Sequence, residues 1–369
     1  MEYKICKRCI MDTTSNPNLV LDSNGICNYC HNYDNLVQKQ QDERIYSSVE
    51  ELFSEIKNKS RNKQYDCILG ISGGVDSSFL AYLLHKHNMR VLAVHVDCGW
   101  NSELAVSNIE KICKKFDYDL HTVVVDWNTM KRLHRAFLYS GMANQDIPQD
   151  HAFIAATWKM ATKYGIKYIV SGHNIATEGI LSTAYQTYWA DWINIKDVFK
   201  KSEEKGNLKK YPHLSLFDRF ILYPQIIRLK TIKPLQLINY SQSYAIKTLE
   251  EECDWKYYGS KHYESRFTRF YQDSYLPERF GWDKRRDHLS SLVVSGEISR
   301  DAALKQLSIC PVSEEEKEKE KEYVLKKLDI PLDDWEKIIN IPLEKAKKYK
   351  TTDTIKQHLG TLIEKLCKV

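Results

Sequence analysis

The sequence lacks the features that would take it into or across a membrane. No run approaches the ~20 apolar residues a bilayer span needs, and Met1-Glu2-Tyr3-Lys4-Ile5-Cys6 opens the chain without an apolar signal core. A cytoplasmic protein without a membrane span is expected. An excess of one charge is missing too: 54 basic residues against 49 acidic ones leave a net +5. No basic cluster dominates any segment, so a nucleic-acid partner is not expected, although a phosphate-bearing substrate would suit the charge. Internal repeats are absent. What remains is an ordinary soluble composition, 43% hydrophobic and 28% charged over 369 residues, long enough for two cores.

Six of the ten cysteines (Cys67, Cys98, Cys113, Cys253, Cys310 and Cys367) show no pairing pattern. The other four do. Cys6-x-x-Cys9 and Cys27-x-x-Cys30 are two tight turns that each aim a pair of thiolates at one point, the spacing of a four-cysteine zinc knuckle. Four thiolates complete a tetrahedron and leave no position for a reactive water, so the metal is expected to be structural Zn²⁺. His31 would be a superfluous fifth ligand and reads as an exposed histidine.

The chain divides by pattern into a cysteine module with a linker helix (1–60), an α/β segment (61–235) and a mostly helical region (236–369). Leu52, Phe53 and Ile56 give the linker an apolar stripe. Strands are expected at 67–71, 91–96, 120–125 and 167–171, with helices at 76–87, 102–116 and about 129–164. That alternation predicts a parallel sheet with helices on both faces. Past residue 185 it fails. Aromatics crowd 185–199 and 255–282, read as mixed helix and loop around a pocket, and 295–369 reads as helical, with Ser313 and Glu316 forming a capping box.

Ser72-Gly73-Gly74-Val75-Asp76-Ser77-Ser78 follows the first strand and opens the first helix. Glycines let the backbone approach phosphate oxygens, and the helix start offers free N–H groups to an anion. The loop lacks the lysine of a Walker A motif. Asp76, itself anionic, suits Mg²⁺ or a helix cap rather than phosphate. Ligands of open α/β sheets bind beyond the strands' carboxyl ends. Two further strand ends, Asp97 with Trp100 and Asn101, and Gly172-His173-Asn174 with Glu178, are therefore candidate site segments.

The loop resembles the S-G-G-x-D-S loop of PP-loop ATP pyrophosphatases, which cleave ATP between its α and β phosphates and adenylylate a substrate. Through Cys6 to Thr14, Asp22-x-x-Gly25-x-Cys27-x-x-Cys30, Gly70 to Ser78, His95 to Asn101, Gln149-Asp150-His151-Ala152, Ser171 to Glu178, Lys261 to Thr268 and Gly296-x-Ile298-Ser299-Arg300, most of the chain resembles the N-acetyl sugar amidotransferases of lipopolysaccharide O-antigen and flagellin-sugar synthesis. The resemblance implies a PP-loop (HUP-like) fold and conversion of a sugar acetamido group to an acetamidino group with ATP and Mg²⁺. It implies a nucleotide- or lipid-linked N-acetyl sugar as substrate, and ammonia from a class I glutaminase partner resembling synthase subunits.

On that basis Ser72, Gly73, Gly74, Val75, Ser77 and Ser78 would cradle pyrophosphate and Asp76 would hold Mg²⁺. Asp97, Trp100 and Asn101 would surround the adenosine. Asp150, His151, Gly172, His173, Asn174 and Glu178 would line the reaction centre. Lys261 would supply the cation the loop lacks, and Glu264 and Arg266 would bind sugar or phosphate, against the plainer reading of 261–266 as a surface salt-bridge cluster. Two other readings stand beside this one. A tRNA-modifying thiolase or ligase is weakened by the lack of a second cysteine pair, and a non-enzymatic zinc-ribbon nucleotide binder by the intact loop.

Overall fold

Short runs of valine, isoleucine and leucine form five parallel strands in the computed structural model: β1 (Cys67–Gly70), β2 (Val91–Asp97), β3 (Asp119–Val124), β4 (Tyr168–Val170) and β5 (Lys230–Ile232). The structure describes residues 2–184, 191–259, 261–310, 312–346 and 348–352. The strand order is β3-β2-β1-β4-β5. The chain runs outward from β1 to β3 and then returns to lay β4 on the other side of β1, with Leu69 opposite both Ala93 and Val170. This reversal opens a crevice beyond the carboxyl ends of β1 and β4.

The period-2 alternation of the strands feeds two cores. Ile68, Leu92, Val94 and Val96 face one side. There they pack with the helices Trp127–Leu138 and Ile147–Lys163 and with Phe267, Phe270, Tyr275, Val324, Leu325 and Trp335 from later in the chain. Cys67, Leu69, Val91 and Ala93 face the other side, against the helices Val49–Ser60, Val75–Lys86, Glu103–Phe116 and Gln242–Cys253. Leu52, Phe53 and Ile56 are buried there, as their stripe predicts.

Several expectations are corrected. The helix expected over 129–164 is two helices. The chain turns between them at Gly141 (φ +71°), and Pro148 sits in the first turn of the second. The fifth strand escapes pattern reading because it is a three-residue edge whose Lys230 and Thr231 are exposed. The C-terminal region is not continuous helix: Arg300–Ser308, Glu314–Lys327, Asp334–Ile339 and Leu343–Ala346 are separated by turns. The Ser313–Glu316 capping box is present. Residues 185–190 and 353–369, including Cys367, lie outside the described residues.

The cysteine module does not stand apart from the rest. Tyr29, Tyr33 and the four cysteines share a small core with Ile180, and Ile10 packs on Leu289 and Ala303. Arg300 donates from Nε to the Cys9 carbonyl and from Nη2 to the Cys6 carbonyl, each at 3.0 Å. Arg286 pairs with the fully buried Asp12 at 2.8 Å. Among the described residues, no helix is long and apolar enough to cross a membrane.

Cys6 and Cys9 are fully buried, so Arg300→Ala would strand two carbonyl acceptors. Urea denaturation should show a loss of about 1–3 kcal/mol with metal content unchanged. A loss well below this range would mean that water replaces the guanidinium.

Candidate functional site

The phosphate loop is shaped by close backbone approaches. Gly73 sits at φ +82°, and a Cβ there would lie 2.5 Å from the Ala105 carbonyl oxygen. Its own carbonyl accepts from Trp255 Nε1 at 3.0 Å. Gly172, at the end of β4, matters for a different reason: a Cβ would meet the Asp76 carbonyl carbon at 2.9 Å and the Ser77 nitrogen at 3.0 Å. Only glycine lets the β4 loop lie flat against the phosphate loop. Within the loop, Ser72 N and Gly74 N donate at 3.3 Å to the hydroxyls of Ser77 and Ser72, and Val75 N donates to the Tyr258 hydroxyl at 3.3 Å. These long bonds leave the N–H groups ready for a better acceptor.

Beside the loop, Lys261 Nζ lies 3.2 Å from Asp76 Oδ2 and 2.9 Å from Glu178 Oε1, and donates to Thr177 Oγ1 at 2.8 Å. Glu178 Oε2 pairs with His173 Nδ1, and the Tyr240 hydroxyl donates to Asp76 Oδ1. Burial opposes the charge on Glu178 but is outweighed by Lys261, then His173 and His262, so its pKa lies well below the ordinary carboxylate value. For Lys261 burial is likewise outweighed by Asp76 and Glu178, and its pKa is raised. The Glu264 pKa is lowered against burial, by His262 first.

Two adjoining cavities open here. The smaller, about 190 Å³, is walled by Ser72, Gly74, Asp76, Ser77, Gly172 and Lys261 among others. The larger, about 720 Å³, is lined by two sets of residues. One is formed by Ile71, Val94, His95, Val96 and Asn101. The other is polar and includes Asp146, Gln149, Asp150, Thr268, Lys284 and His288. Ser72, His173, Glu178, His262 and Glu264 border both cavities. In the polar set burial raises the pKa of Asp146 to about 6, and burial with the neighbouring Asp146 charge holds Asp150 well above the carboxylate range.

Comparison with known proteins adds the family context. Residues 66–212 match the model of queuosine biosynthesis protein QueC, and residues 264–363 match the C-terminal domain of LPS biosynthesis protein WbpG-like proteins. The chain joins a PP-loop ATP pyrophosphatase domain to a WbpG-like C-terminal domain. It is similar to tRNA(Ile)-lysidine synthase of Chlamydia pneumoniae, 27% identical over 153 residues, which is 40% of this chain and 44% of that one. It is also similar to tRNA-specific 2-thiouridylase MnmA of Yersinia pestis (strain Pestoides F), 30% identical over 137 residues, 33% of this chain and 36% of that one. The chain thus spans less than half the length of these curated relatives. A solved NMN synthetase of Francisella tularensis aligns over 76% of this chain and 98% of its own, with 12% identity and a TM-score of 0.35.

The site residues named from sequence fall into two groups. Ser72, Gly74, Val75, Asp76, Ser77, Gly172, His173, Glu178, Lys261 and Glu264 line the smaller cavity, and Asn101 and Asp150 the larger. Other candidates serve the frame. Ser78 is fully buried beneath the loop. Asp97 accepts from Gly99 N at 2.7 Å and Asn101 Nδ2 at 3.0 Å, so it shapes the turn that presents Asn101. Trp100 is buried against Trp127 and Phe267, with Lys327 above its ring. Asn174 caps the short helix Ile175–Glu178 through Thr177 N at 2.9 Å. His151 accepts from Leu214 N at 3.0 Å and stacks with Trp192 and Tyr211. Arg266 is held by both oxygens of Glu320 at 2.8 and 2.7 Å and lies over the Tyr323 ring. For Arg266 the salt-bridge reading holds.

Sequence reading missed Asp146, Tyr240, Tyr258, His262, Lys284 and His288 as site residues. His262 stood inside the quoted motif. The others carry no local signal, because tertiary packing alone brings them to the cavity.

The four cysteines fit a metal. Their sulfurs lie within 4.8 Å of one another, with Cys6–Cys30 at 3.8 Å and Cys9–Cys27 at 3.6 Å. A zinc tetrathiolate with bonds of ~2.3 Å has sulfur–sulfur edges of roughly 3.8 Å. His31 turns away to Asp22 at 2.9 Å.

Two measurements probe this geometry. Gly172→Ala should cost roughly tenfold or more in ATP turnover with little change in melting temperature; unchanged turnover would mean that the loops need not touch. The second concerns Asp150, whose raised pKa favours the folded protein only while the carboxyl is protonated. That contribution is full below the unfolded value and is lost as pH rises towards the folded one. Asp150→Asn should therefore gain stability relative to the parent as pH rises above about 4, the unfolded carboxyl value, as read by urea denaturation at each pH. A pH-independent difference would contradict the assignment.

Proposed function

We propose that the protein is an ATP-dependent amidotransferase that converts the acetamido group of an N-acetyl sugar, carried on a nucleotide or lipid, into an acetamidino group. The observation that supports this reading is a pair of adjoining cavities that share Ser72, His173, Glu178, His262 and Glu264. The smaller lies on a pyrophosphate-type loop in the PP-loop domain, and residues of the WbpG-like domain, Glu264, Thr268, Lys284 and His288, help to line the larger. A phosphate site adjoining a hydroxyl- and amide-binding cavity suits activation of a sugar amide by a nucleotide, and the WbpG-like match favours a lipopolysaccharide-type sugar.

An amide carbonyl is a weak electrophile, and its oxygen is a poor leaving group. In the proposed reaction that oxygen attacks the α-phosphorus, forming a P–O bond as the bond to pyrophosphate breaks. Ammonia then adds to the imidate carbon, the C–O bond to AMP breaks, and one proton leaves. The loop N–H groups and the Ser72 and Ser77 hydroxyls hold the departing pyrophosphate, with Lys261 opposing its charge. Mg²⁺, when bound at Asp76, would neutralise phosphate charge. His173, oriented at Nδ1 by Glu178, is placed to take the ammonia proton. The polar part of the larger cavity positions the acetamido group and keeps water from the imidate. Ammonia would come from a partner glutaminase.

A second reading, tRNA modification, is favoured by the curated relatives. Cys98, the cysteine that lines the large cavity, weighs against a thiolase. Burial, with Asp97 and Asp150, holds its thiol well above the ordinary range, so it is a poor nucleophile.

Purified protein given Mg²⁺ and ATP should release AMP and pyrophosphate only when ammonium and a nucleotide-linked N-acetyl sugar are both present. The product should be lighter by the difference between an oxygen and an NH. Release that follows tRNA and ignores sugars would overturn the sugar reading. Asp76→Ala should lower the rate roughly a hundredfold or more with the melting temperature held; full activity would remove Asp76 from the mechanism.

A further inference from the structure

We propose that Lys261 is a built-in counter-ion. It occupies the divalent-cation position between Asp76 and Glu178 in the nucleotide-free protein and moves onto the phosphates when the metal takes its place. The inference rests on the reading of the loop as an ATP site, and goes beyond it by assigning an exchange of one cation for another.

The geometry leaves little room for both cations. Asp76 Oδ1 is taken by the Tyr240 hydroxyl and Glu178 Oε2 by His173, so the oxygens that remain, Asp76 Oδ2 and Glu178 Oε1, both face Lys261 Nζ at 3.2 and 2.9 Å. The three side chains are only 12–18% exposed. A divalent ion bound to Asp76 Oδ2 at ~2.1 Å would stand within a few ångströms of the ammonium, with little water to screen the repulsion. One of the two must leave.

The lysine has a destination and a pivot. The smaller cavity places Lys261 beside Ser72, Gly74 and Ser77, where the departing phosphates would lie. The chain bends through left-handed residues on either side of it, at Gly259 (φ +91°) and at His262 (φ +67°). Glu264, which borders the same cavity, has a buried Oε2 without a hydrogen-bond partner among the described residues. A recess with this many carboxylate oxygens needs a cation at every stage, and the exchange keeps one there.

The test uses Mn²⁺ alone, titrated by electron paramagnetic resonance into the full-length protein without nucleotide. The parent and Lys261→Arg should bind weakly. Lys261→Gln and Lys261→Met should each bind about tenfold more tightly or better, because two carboxylates lose their neutralising charge. Adding Asp76→Asn to Lys261→Gln should abolish the gain, which separates this position from surface sites. Pyrophosphate without metal should bind the two neutral variants about tenfold more weakly than the parent. Unchanged Mn²⁺ affinity in a folded neutral variant overturns the proposal, and so does tight Mn²⁺ binding by the parent alone. Failure of both neutral variants to fold would overturn it as well, since a side chain that leaves its place in every turnover cannot be what holds the fold. No sugar, ammonium or tRNA enters these titrations. A chain that passes them and makes no amidine would fail only the substrate reading.

Discussion

The recessed ammonium of Lys261 is the contact on which the site depends. It joins three segments far apart in the sequence: the start of the first sheet helix at Asp76, the loop after β4 at Glu178, and the turn after the helix Gln242–Cys253. Each carboxylate alone would be costly in so little water, and together they would repel each other. With the lysine between them, the loops that follow β1 and β4 are drawn to one point. Gly172 then lets their backbones close to contact. The topological reversal of the sheet creates the crevice, and the ion pair sets its width.

The segment after β4 is braced from outside by the cysteine module. Tyr33 packs so closely on Gly179 that a Cβ there would lie 2.5 Å from its ring, and the Tyr29 hydroxyl meets Thr183 Oγ1 at 2.9 Å. Those contacts fix the segment that carries His173 and Glu178. The helix Arg285–Val294 packs on that same segment, with Ile180 N donating to Ser291 Oγ and Ser182 N to Asp287 Oδ2, each at 2.9 Å; its Arg286 and Ser290 bond the backbone of Ile10, at 2.8 and 3.3 Å, and its His288 lines the cavity. A metal held by the four clustered cysteines would make a rigid brace from a segment too small to hold a core of its own. This arrangement favours a fold staple over a free docking surface.

Much of this was legible in the sequence wherever chemistry is local. Paired C-x-x-C turns, a glycine-serine loop after an apolar strand and the first four strands each report on a few neighbouring residues and stand in the structure, whereas the single helix expected over 129–164 breaks at Gly141. The other failures are non-local. Whether Arg266 faces a ligand or Glu320 depends on a helix 50 residues later, and whether His151 faces the cavity depends on Leu214. Trp100 and Lys327 meet across the whole C-terminal half of the chain. β5 is invisible to pattern because an exposed three-residue edge needs no apolar face.

The distribution of charge in the cavity bears on how the chemistry must be ordered. At the phosphate end burial is overcome by partners, so Glu178 and Glu264 stay ionised beside Lys261 and His262. In the polar part of the larger cavity burial wins: it lifts the Asp146 pKa to about 6 and, with the Asp146 charge, holds that of Asp150 well above the carboxylate range. The cavities therefore hold paired fixed charge beside the phosphate loop, and carboxyls of raised pKa together with Lys284 in the polar part of the larger cavity. An uncharged amide placed among those carboxyls would meet hydrogen-bonding groups rather than a carboxylate pair. It becomes strongly electrophilic only once the nucleotide has been transferred to it, inside walls that the sheet, the cysteine module and the C-terminal helices close together. Activation before attack by ammonia is the order that this gradient of charge supports.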